Sequence, residues 1–403
     1  MLPEQSACIR LPRDFFRDPY AFYRSLSATG TLHPIVLDTG MRAWLVTGYD
    51  LSKQLLRNPA ICKDGLKLAG LAIRSGAERS GATSVSPGIT AHMLNSDPPQ
   101  HTRLRRAVTA AFTSQRVENL RPRVVRIADE LLDNLEADTG QVIDLIDAYA
   151  APLPVTVICE LLGVPAADRQ TFRHWTSIAI DVVVSDPDEM RRASLDLEEY
   201  LRDLVAERKS APREDLISAL ATGGGTAGQL TDQELVSMAF LILVAGHETT
   251  VNLIGNAAIA LLAGRAPRHC ALTATAELIE ETLRHNGPLN AATLRYCTEE
   301  INIDGHAIAP GELVLIALSA ADRDERRFPD PQLFDIHRVT NGHLAFGNGI
   351  HYCLGAGLAR MEGAIAIRKL FERYPDIELT EPITNWKPSI LIRGVSKMPV
   401  YLS

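Results

Sequence analysis

A mainly α fold with a minor β part is predicted by three observations. Residues 102–137, 141–163, 188–208 and 231–264 all carry apolar residues at three- and four-residue intervals among charges, the helical period. Only two segments read as hairpins, with β-branched residues around turn-forming ones. The chain of 403 residues, 46% hydrophobic and 22% charged, can bury a large core.

In chain order, residues 31–48 hold two apolar stretches around Asp38-Thr39-Gly40, which predicts a hairpin. Residues 63–100 are rich in Gly and Ser, end near Asp97-Pro98-Pro99, and read as a loop. Residues 221–230, with Gly223-Gly224-Gly225, read as a second loop. Thr231-Asp232-Gln233-Glu234 is a capping box, and the apolar pattern that follows continues to Gly264, with Pro267 barring further extension. That predicts one helix on the order of 50 Å long, with its middle in the core. A helix from about Ala274 follows. Then comes a hairpin near 299–317, where Ile301-Asn302-Ile303 alternates, Asp304-Gly305 turns, and Leu313-Val314-Leu315-Ile316 resumes. The last helix predicted is Leu358 to Leu370. No internal repeat, charge block or convincing linker divides the chain, so residues 1–403 are expected to form one domain.

The charge balance excludes several classes. Lys and Arg number 41 against 49 Asp and Glu, a net charge of −8, which argues against nucleic acid as a partner. Six scattered cysteines without a C-x-x-C pair suggest neither a zinc site nor a disulfide framework, and point to a reducing, cytoplasmic setting. The first residues lack the features of a signal peptide, so the mature chain is expected to start there without a membrane anchor. The longest apolar run, Met238 to Gly246, falls far short of the ~20 residues needed to span a bilayer.

Weak motifs fail on context. Gly223 to Gly228 matches G-x-G-x-x-G, but the preceding Asp215 to Ala221 reads as a helix end rather than the strand a dinucleotide site requires. His247-Glu248 opens H-E-x-x-H, but Val251 stands where the second histidine belongs.

Three stretches carry chemistry. Within the long helix, Ala245-Gly246-His247-Glu248-Thr249-Thr250 puts an acid and an alcohol in an apolar run. Gly246 costs ~1 kcal/mol in a helix interior and Thr249 can bond back to the carbonyl four residues earlier, so local distortion and a groove are expected. From this hexapeptide alone, an ordinary solvent-facing Glu248-Thr249 is as good a reading. Glu281-Thr282-Leu283-Arg284 places a carboxylate and a guanidinium at i and i+3, a pair common on exposed faces. Phe346-Gly347-Asn348-Gly349-Ile350-His351-Tyr352-Cys353-Leu354-Gly355 is a glycine-punctuated loop that delivers one cysteine before an apolar helix. A helix N-terminus favours the thiolate, and one sulfur without other protein ligands suits an axial haem ligand, since a porphyrin supplies four nitrogens.

With these three motifs in this order, the chain resembles the cytochrome P450 family, in particular soluble bacterial members of secondary metabolism. The loop 346–355 resembles the family's F-x-x-G-x-H-x-C-x-G, Ala245 to Thr250 its oxygen-activating helix motif, and Glu281 to Arg284 its E-x-x-R. The resemblance extends over about residues 12–400. It implies the family fold, a triangular helical prism with small sheets, and haem b with Cys353 as the axial iron ligand. It implies that His101 and Arg105, in Asp97 to Arg105, together with Arg295 and His351 hold the haem propionates, and that Phe346, Gly347 and Gly355 shape the cofactor loop. Physics agrees: two buried carboxylates need charge-assisted partners. Arg338, in Phe334 to Arg338, is implied to join Glu281 and Arg284 in a structural network. Glu248 and Thr249 are implied to relay or position protons. One departure is Asp322, in Ala321-Asp322-Arg323-Asp324, where relatives usually have Asn; a small structural consequence is expected.

The resemblance implies a haem-thiolate monooxygenase that hydroxylates or epoxidises an apolar small molecule, such as a polyketide, macrolide or peptide intermediate. Electrons would come from NAD(P)H through a ferredoxin and its reductase, because the chain carries no flavin or iron–sulfur module; monomer is the default state. Leu66, Leu68, Leu71, Ile89, Met93, Ile178, Val182 and Val183 are the expected substrate contacts. Two alternatives stay open: a desaturase or oxidative coupling enzyme with the same cofactor, and a non-catalytic haem-binding protein. The second is disfavoured because a binding module does not need Glu248 and Thr249.

Overall fold

The computed structural model describes residues 2, 4, 8–37, 39–75, 86–180, 187–222 and 230–403. Helices dominate, and three small sheets pack beside them. The largest sheet has six strands in the order Ile9–Arg10, Leu32–Val36, Arg42–Val46, Leu313–Ile316, Arg295–Cys297 and Ile61–Cys62. Period-two alternation gives this sheet two buried faces. Trp44, Val46, Val314 and Ile316 enter one core, whereas Ala43, Leu45, Leu313 and Leu315 enter another.

The hairpin expected at 31–48 forms, with Leu32–Val36 antiparallel to Arg42–Val46; Asp38 in its turn lies outside the described residues. The second hairpin is shorter than expected. Ile301–Ile303 turns at Asp304-Gly305 and pairs with His306–Ile308, while Leu313–Ile316 leaves to lie parallel to Arg42–Val46. The short hairpin closes within its own residues, and the four buried positions of 313–316 need the larger sheet.

The stretch 102–137, with its helical spacing, is three helices, Gln100–Ala111, Ser114–Asn119 and Arg121–Asn134. Phe112 leaves helical geometry, and the Thr113 hydroxyl then caps the next helix by accepting from the Arg116 amide. In 141–163 the first residues form a strand, Val142–Asp144, paired with Pro399–Tyr401, before the helix Pro152–Leu162 begins. The segment 63–100 is not all loop: Gly65–Arg74 is a helix capped by the Asp64 carboxylate on the Lys67 amide. Residues 223–229 lie outside the described residues, but Leu216–Ala221 before them is a helix, as the failed dinucleotide motif required.

Asp232–Leu262 is the long helix, 31 residues, with the capping box in place: Thr231 Oγ1 accepts from the Glu234 amide and Glu234 Oε2 from the Thr231 amide. It passes the length and hydropathy test for a membrane span, yet 72% of its apolar window is buried within the protein. Its first half, Leu235 to Leu243, lies in one core cluster and its second half, Val251 to Leu261, in another. The acid and alcohol sit at the junction between the two.

Candidate functional site

At that junction the helix surface opens. Ala245 is exposed and Gly246, Glu248 and Thr249 are half-buried, between turns that are otherwise buried. The distortion expected here does not interrupt the helix: Asp232–Leu262 is continuous α-helix. Gly246 packs closely on the helix Pro152–Leu162: a Cβ there would lie 2.8 Å from Ile158 Cδ1, which would have to shift. Thr249 Oγ1 does donate back to the Ala245 carbonyl, at 2.9 Å. Glu248 Oε1 accepts from Asn252 Nδ2 at 3.1 Å and forms an ion pair with Lys387 Nζ.

The cysteine loop is built by two left-handed glycines, Gly347 at φ 72° and Gly349 at φ 75°, conformations that L side chains resist. A Cβ on Gly349 would also stand 2.6 Å from the Leu56 carbonyl oxygen. The loop closes on itself when the Cys353 amide donates to the Phe346 carbonyl at 2.9 Å. Gly355 then begins the helix Ala356–Arg373 as its cap residue. Cys353 is the one exposed cysteine of the six. By area its side chain is open, yet protein surrounds it closely enough for burial to push its thiol up, against the Gly355 amide and the Arg105 and Arg360 guanidiniums, which pull it down. Those groups are the ones that favour a thiolate. Phe346 lies under the Arg360 guanidinium, 4.5 Å from its ring centre.

Beside the thiol, the structure gathers cations that lie far apart in sequence. The His101 and His351 rings meet edge to face at 4.4 Å, and Arg295 is 4% exposed. Burial, with Lys63 and Arg295 next, holds the His351 imidazole down to about 2. Burial also lowers His101, and Arg105 and Lys63 add to the effect. Arg105 is half-buried and close enough to Cys353 to feel its charge. Lys63 is a member the motifs did not signal. It is 2% exposed, and its ammonium donates to the Thr293 hydroxyl. Burial and Arg295 drive its pKa well below the ordinary lysine value. Asp97, the nearby carboxylate, is already engaged by the Lys63 and Asp64 amides at 2.9–3.0 Å.

Buried charges without counter-charges are costly, and buried donors without acceptors cost about 1–3 kcal/mol each. Both ring nitrogens of His101, Arg295 Nε and His351 Nε2 are buried with no hydrogen-bond partner among the described residues. Two carboxylates brought by a ligand meet that deficit. No group of three or more His, Cys, Asp or Glu among the described residues could hold a metal by itself, so a lone thiol suits a metal arriving with its own ligands. Iron protoporphyrin IX has both properties.

The acid–arginine pair is structural. Glu281 and Arg284, on Thr275–Asn286, are fully buried and joined at 2.6 and 2.7 Å in a bidentate pair. Arg284 spends its remaining donors on the carbonyls of Asp322, Pro331 and Leu333, at 2.9–3.1 Å. Glu281 also accepts from the Asp335 amide at 2.9 Å and lies 3.5 Å from Arg338 Nε. The three charged residues thus clamp the 322–338 segment, and Asp322 extends the clamp by accepting from the Leu344 amide at 2.6 Å, just before the cysteine loop.

The expected substrate contacts divide. Leu66 is 87% exposed on the helix Gly65–Arg74, and Leu68 and Leu71 are half-buried there. Ile89 is fully buried and Met93 nearly so, in the core cluster that holds Met238, so both pack the interior instead of facing a ligand. Ile178 is half-buried; Val182 and Val183 lie outside the described residues. A separate cleft of about 830 Å³, lined in part by Arg323, Trp386 and Arg393, shares no residue with the expected site, and its two inner arginines are engaged by backbone carbonyls.

The model of the family described as Cytochrome P450 matches residues 53–170 and 269–392. The cytochrome P450 monooxygenase PikC of Streptomyces venezuelae is 43% identical over 397 residues, 97% of this chain and 92% of that protein. The 6-deoxyerythronolide B hydroxylase of Saccharopolyspora erythraea is 40% identical over 400 residues, covering 96% of this chain and 97% of its own length. The solved structure of the tirandamycin C-bound P450 monooxygenase TamI superposes with a TM-score of 0.87 at 38% identity, covering 98% of this chain and all of that one. An exposed thiol on a glycine loop, a buried basic cluster with unpartnered nitrogens, and full-length likeness to such enzymes converge: the chain belongs to the cytochrome P450 family of haem-thiolate monooxygenases.

Proposed function

We propose that this enzyme hydroxylates or epoxidises a bulky apolar natural-product intermediate of the polyketide or macrolide kind, with electrons passed from NAD(P)H by a ferredoxin and its reductase. The substrate class rests on the names of the relatives, among them a 6-deoxyerythronolide B hydroxylase and a mycinamicin IV hydroxylase/epoxidase. The observation that carries the chemistry is the Cys353 thiol, exposed beside the buried, unpartnered nitrogens of His101, Arg295 and His351.

When bound, haem supplies dioxygen activation, one oxygen atom going to the substrate and the other to water with two electrons and two protons. Cys353 is the residue that would ligate its iron, and the Gly355 amide and Arg105 favour its thiolate. Lys63, His101, Arg105, Arg295 and His351 would hold the two propionates, which would satisfy the unpartnered nitrogens of His101, Arg295 and His351. Glu248 and Thr249, where the long helix is open, hold and pass protons; Thr249 keeps its hydroxyl hydrogen on the Ala245 carbonyl until an inner acceptor competes for it.

The test is the absorption spectrum of the reduced protein with carbon monoxide, for wild type and Cys353→Ser. The expected wild-type Soret band is strongly red-shifted and is lost in the variant; an unshifted band in haem-loaded wild type would remove thiolate ligation. Product mass then separates outcomes: a gain of one oxygen supports the proposal, and loss of two hydrogens would replace it with desaturation or coupling.

A further inference from the structure

Glu248 is gripped from outside its helix. Its Oε1 carries both the Lys387 ammonium and the Asn252 amide, while no described residue makes a hydrogen bond to Oε2. Lys387 belongs to the 385–396 segment, which lies along the long helix at positions 248, 252 and 256, one face at four-residue spacing. Two of the three contacts on that face are neutral. Asn256 Nδ2 donates to the Arg393 carbonyl at 2.9 Å, and Gly394 comes so close that a Cβ would stand 1.9 Å from Asn252 Oδ1.

The segment is also fixed without Lys387's side chain. Trp386 bridges to Val395, the Lys387 amide donates to the Gly394 carbonyl at 2.9 Å, and Arg393 stacks on Trp386 at 3.5 Å. An ion pair whose side chains are 25% and 20% exposed adds little to stability on top of those contacts. Its distinctive effect falls on the carboxylate: one oxygen is tied toward the partly exposed lysine and the other is left open.

We propose that Lys387 is the positioning residue of the proton path, holding the Glu248 carboxyl group turned toward the 385–396 segment between deliveries. This rests on the proton role proposed for Glu248. A proton from solvent hydronium or buffer acid bonds to a Glu248 oxygen, which releases Lys387 still as ammonium. The carboxyl group turns about its terminal torsion, which has a broad, soft profile. Its O–H bond breaks as the proton bonds to a water molecule on the inner side, giving hydronium there, and the carboxylate returns to Lys387. Nothing is oxidised or reduced in this step.

The experiment uses substrate-free holoenzyme with a surrogate [2Fe–2S] ferredoxin, its reductase and NADPH. It reads the share of consumed O2 that ends as hydrogen peroxide, and the rate of O2 uptake in H2O against D2O. Lys387→Met, Lys387→Arg, Glu248→Gln and the double variant are compared, with Lys387→Gln in reserve if the methionine variant fails to bind haem. The expected result is a peroxide share raised about twofold or more and an altered solvent isotope effect in Lys387→Met. Lys387→Arg restores both, and Glu248→Gln reproduces both with no further change in the double variant. Wild-type behaviour of Lys387→Met beside a disturbed Glu248→Gln overturns the role of Lys387 alone. Wild-type behaviour of both overturns the role of Glu248 and this inference with it.

Discussion

Lys63 shows how much a single side chain can depend on residues distant in sequence. In Ile61-Cys62-Lys63-Asp64 it reads as a surface cation before a loop, but it is buried beside Arg295 and His351, with a hydroxyl as its hydrogen-bond partner. A buried ammonium facing like charges has a ready explanation in a propionate. A charge-assisted hydrogen bond of this kind contributes about 1.5–3 kcal/mol, or roughly 10- to 100-fold in affinity. Lys63→Met is therefore expected to speed haem loss to an acceptor apoprotein by about tenfold or more, while leaving loss of the haem dimethyl ester unchanged. Equal effects on both porphyrins would mean that Lys63 acts through packing alone. The other propionate candidates, His101, Arg105, Arg295 and His351, were legible because each lies in or beside a recognisable motif.

At the scale of elements, the helix Thr275–Asn286 is a short amphipathic helix in sequence and a clamp in the structure. Its Glu281 holds Arg284, the Asp335 amide and Arg338, and through them the 322–338 segment that leads into the cysteine loop. Removing one charge from a buried pair typically costs 3–5 kcal/mol, because the partner is left uncompensated. Glu281→Gln is expected to lower the thermal midpoint and the fraction of purified protein that carries haem, whereas Glu248→Gln leaves haem content at the wild-type level. Full haem loading in Glu281→Gln would show that the clamp is dispensable. Other elements escaped the sequence for a physical reason. Val142–Asp144 reads as helix because its pattern is short and its strand partner, Pro399–Tyr401, lies about 250 residues away. The helix Gly65–Arg74 contains two glycines that lower its intrinsic propensity, and it is fixed by the Asp64 cap and by Leu68 and Leu71 packing on a distant core.

For the molecule as a whole, Asp322 links stability to pH. Its carboxyl is buried, and burial raises it to about 7, against His343, the Leu344 amide and Arg284, which pull it down. Unfolded, it titrates near the usual 3.9, so between these values the folded chain binds more protons than the unfolded one and stability falls as pH rises. The contribution is present below about 4 and is lost on passing about 7. Between pH 5 and 7 it amounts to up to about 3 kcal/mol. Asp322→Asn is expected to flatten the thermal midpoint against pH over that interval and to be the more stable form at pH 8. Parallel curves for the two proteins would show that Asp322 does not titrate there. The substitution of Asp for the more usual Asn thus acts on the molecule's pH response while keeping the acceptor for Leu344.

The sequence by itself determined the long capped helix, the cysteine loop, the acid–alcohol motif and the acid–arginine pair, since each is encoded within ten or so neighbouring residues by caps, glycines and periodicity. It also determined the family, because those local signals occur in a fixed order. The tertiary structure alone decided that Lys63 joins the cation cluster, that Lys387 grips Glu248, that Ile89 and Met93 belong to the core, and that Gly246 is a packing glycine. These facts depend on segments tens to hundreds of residues apart meeting in space. A side chain's burial and charge environment is a property of that meeting, and no local pattern records it.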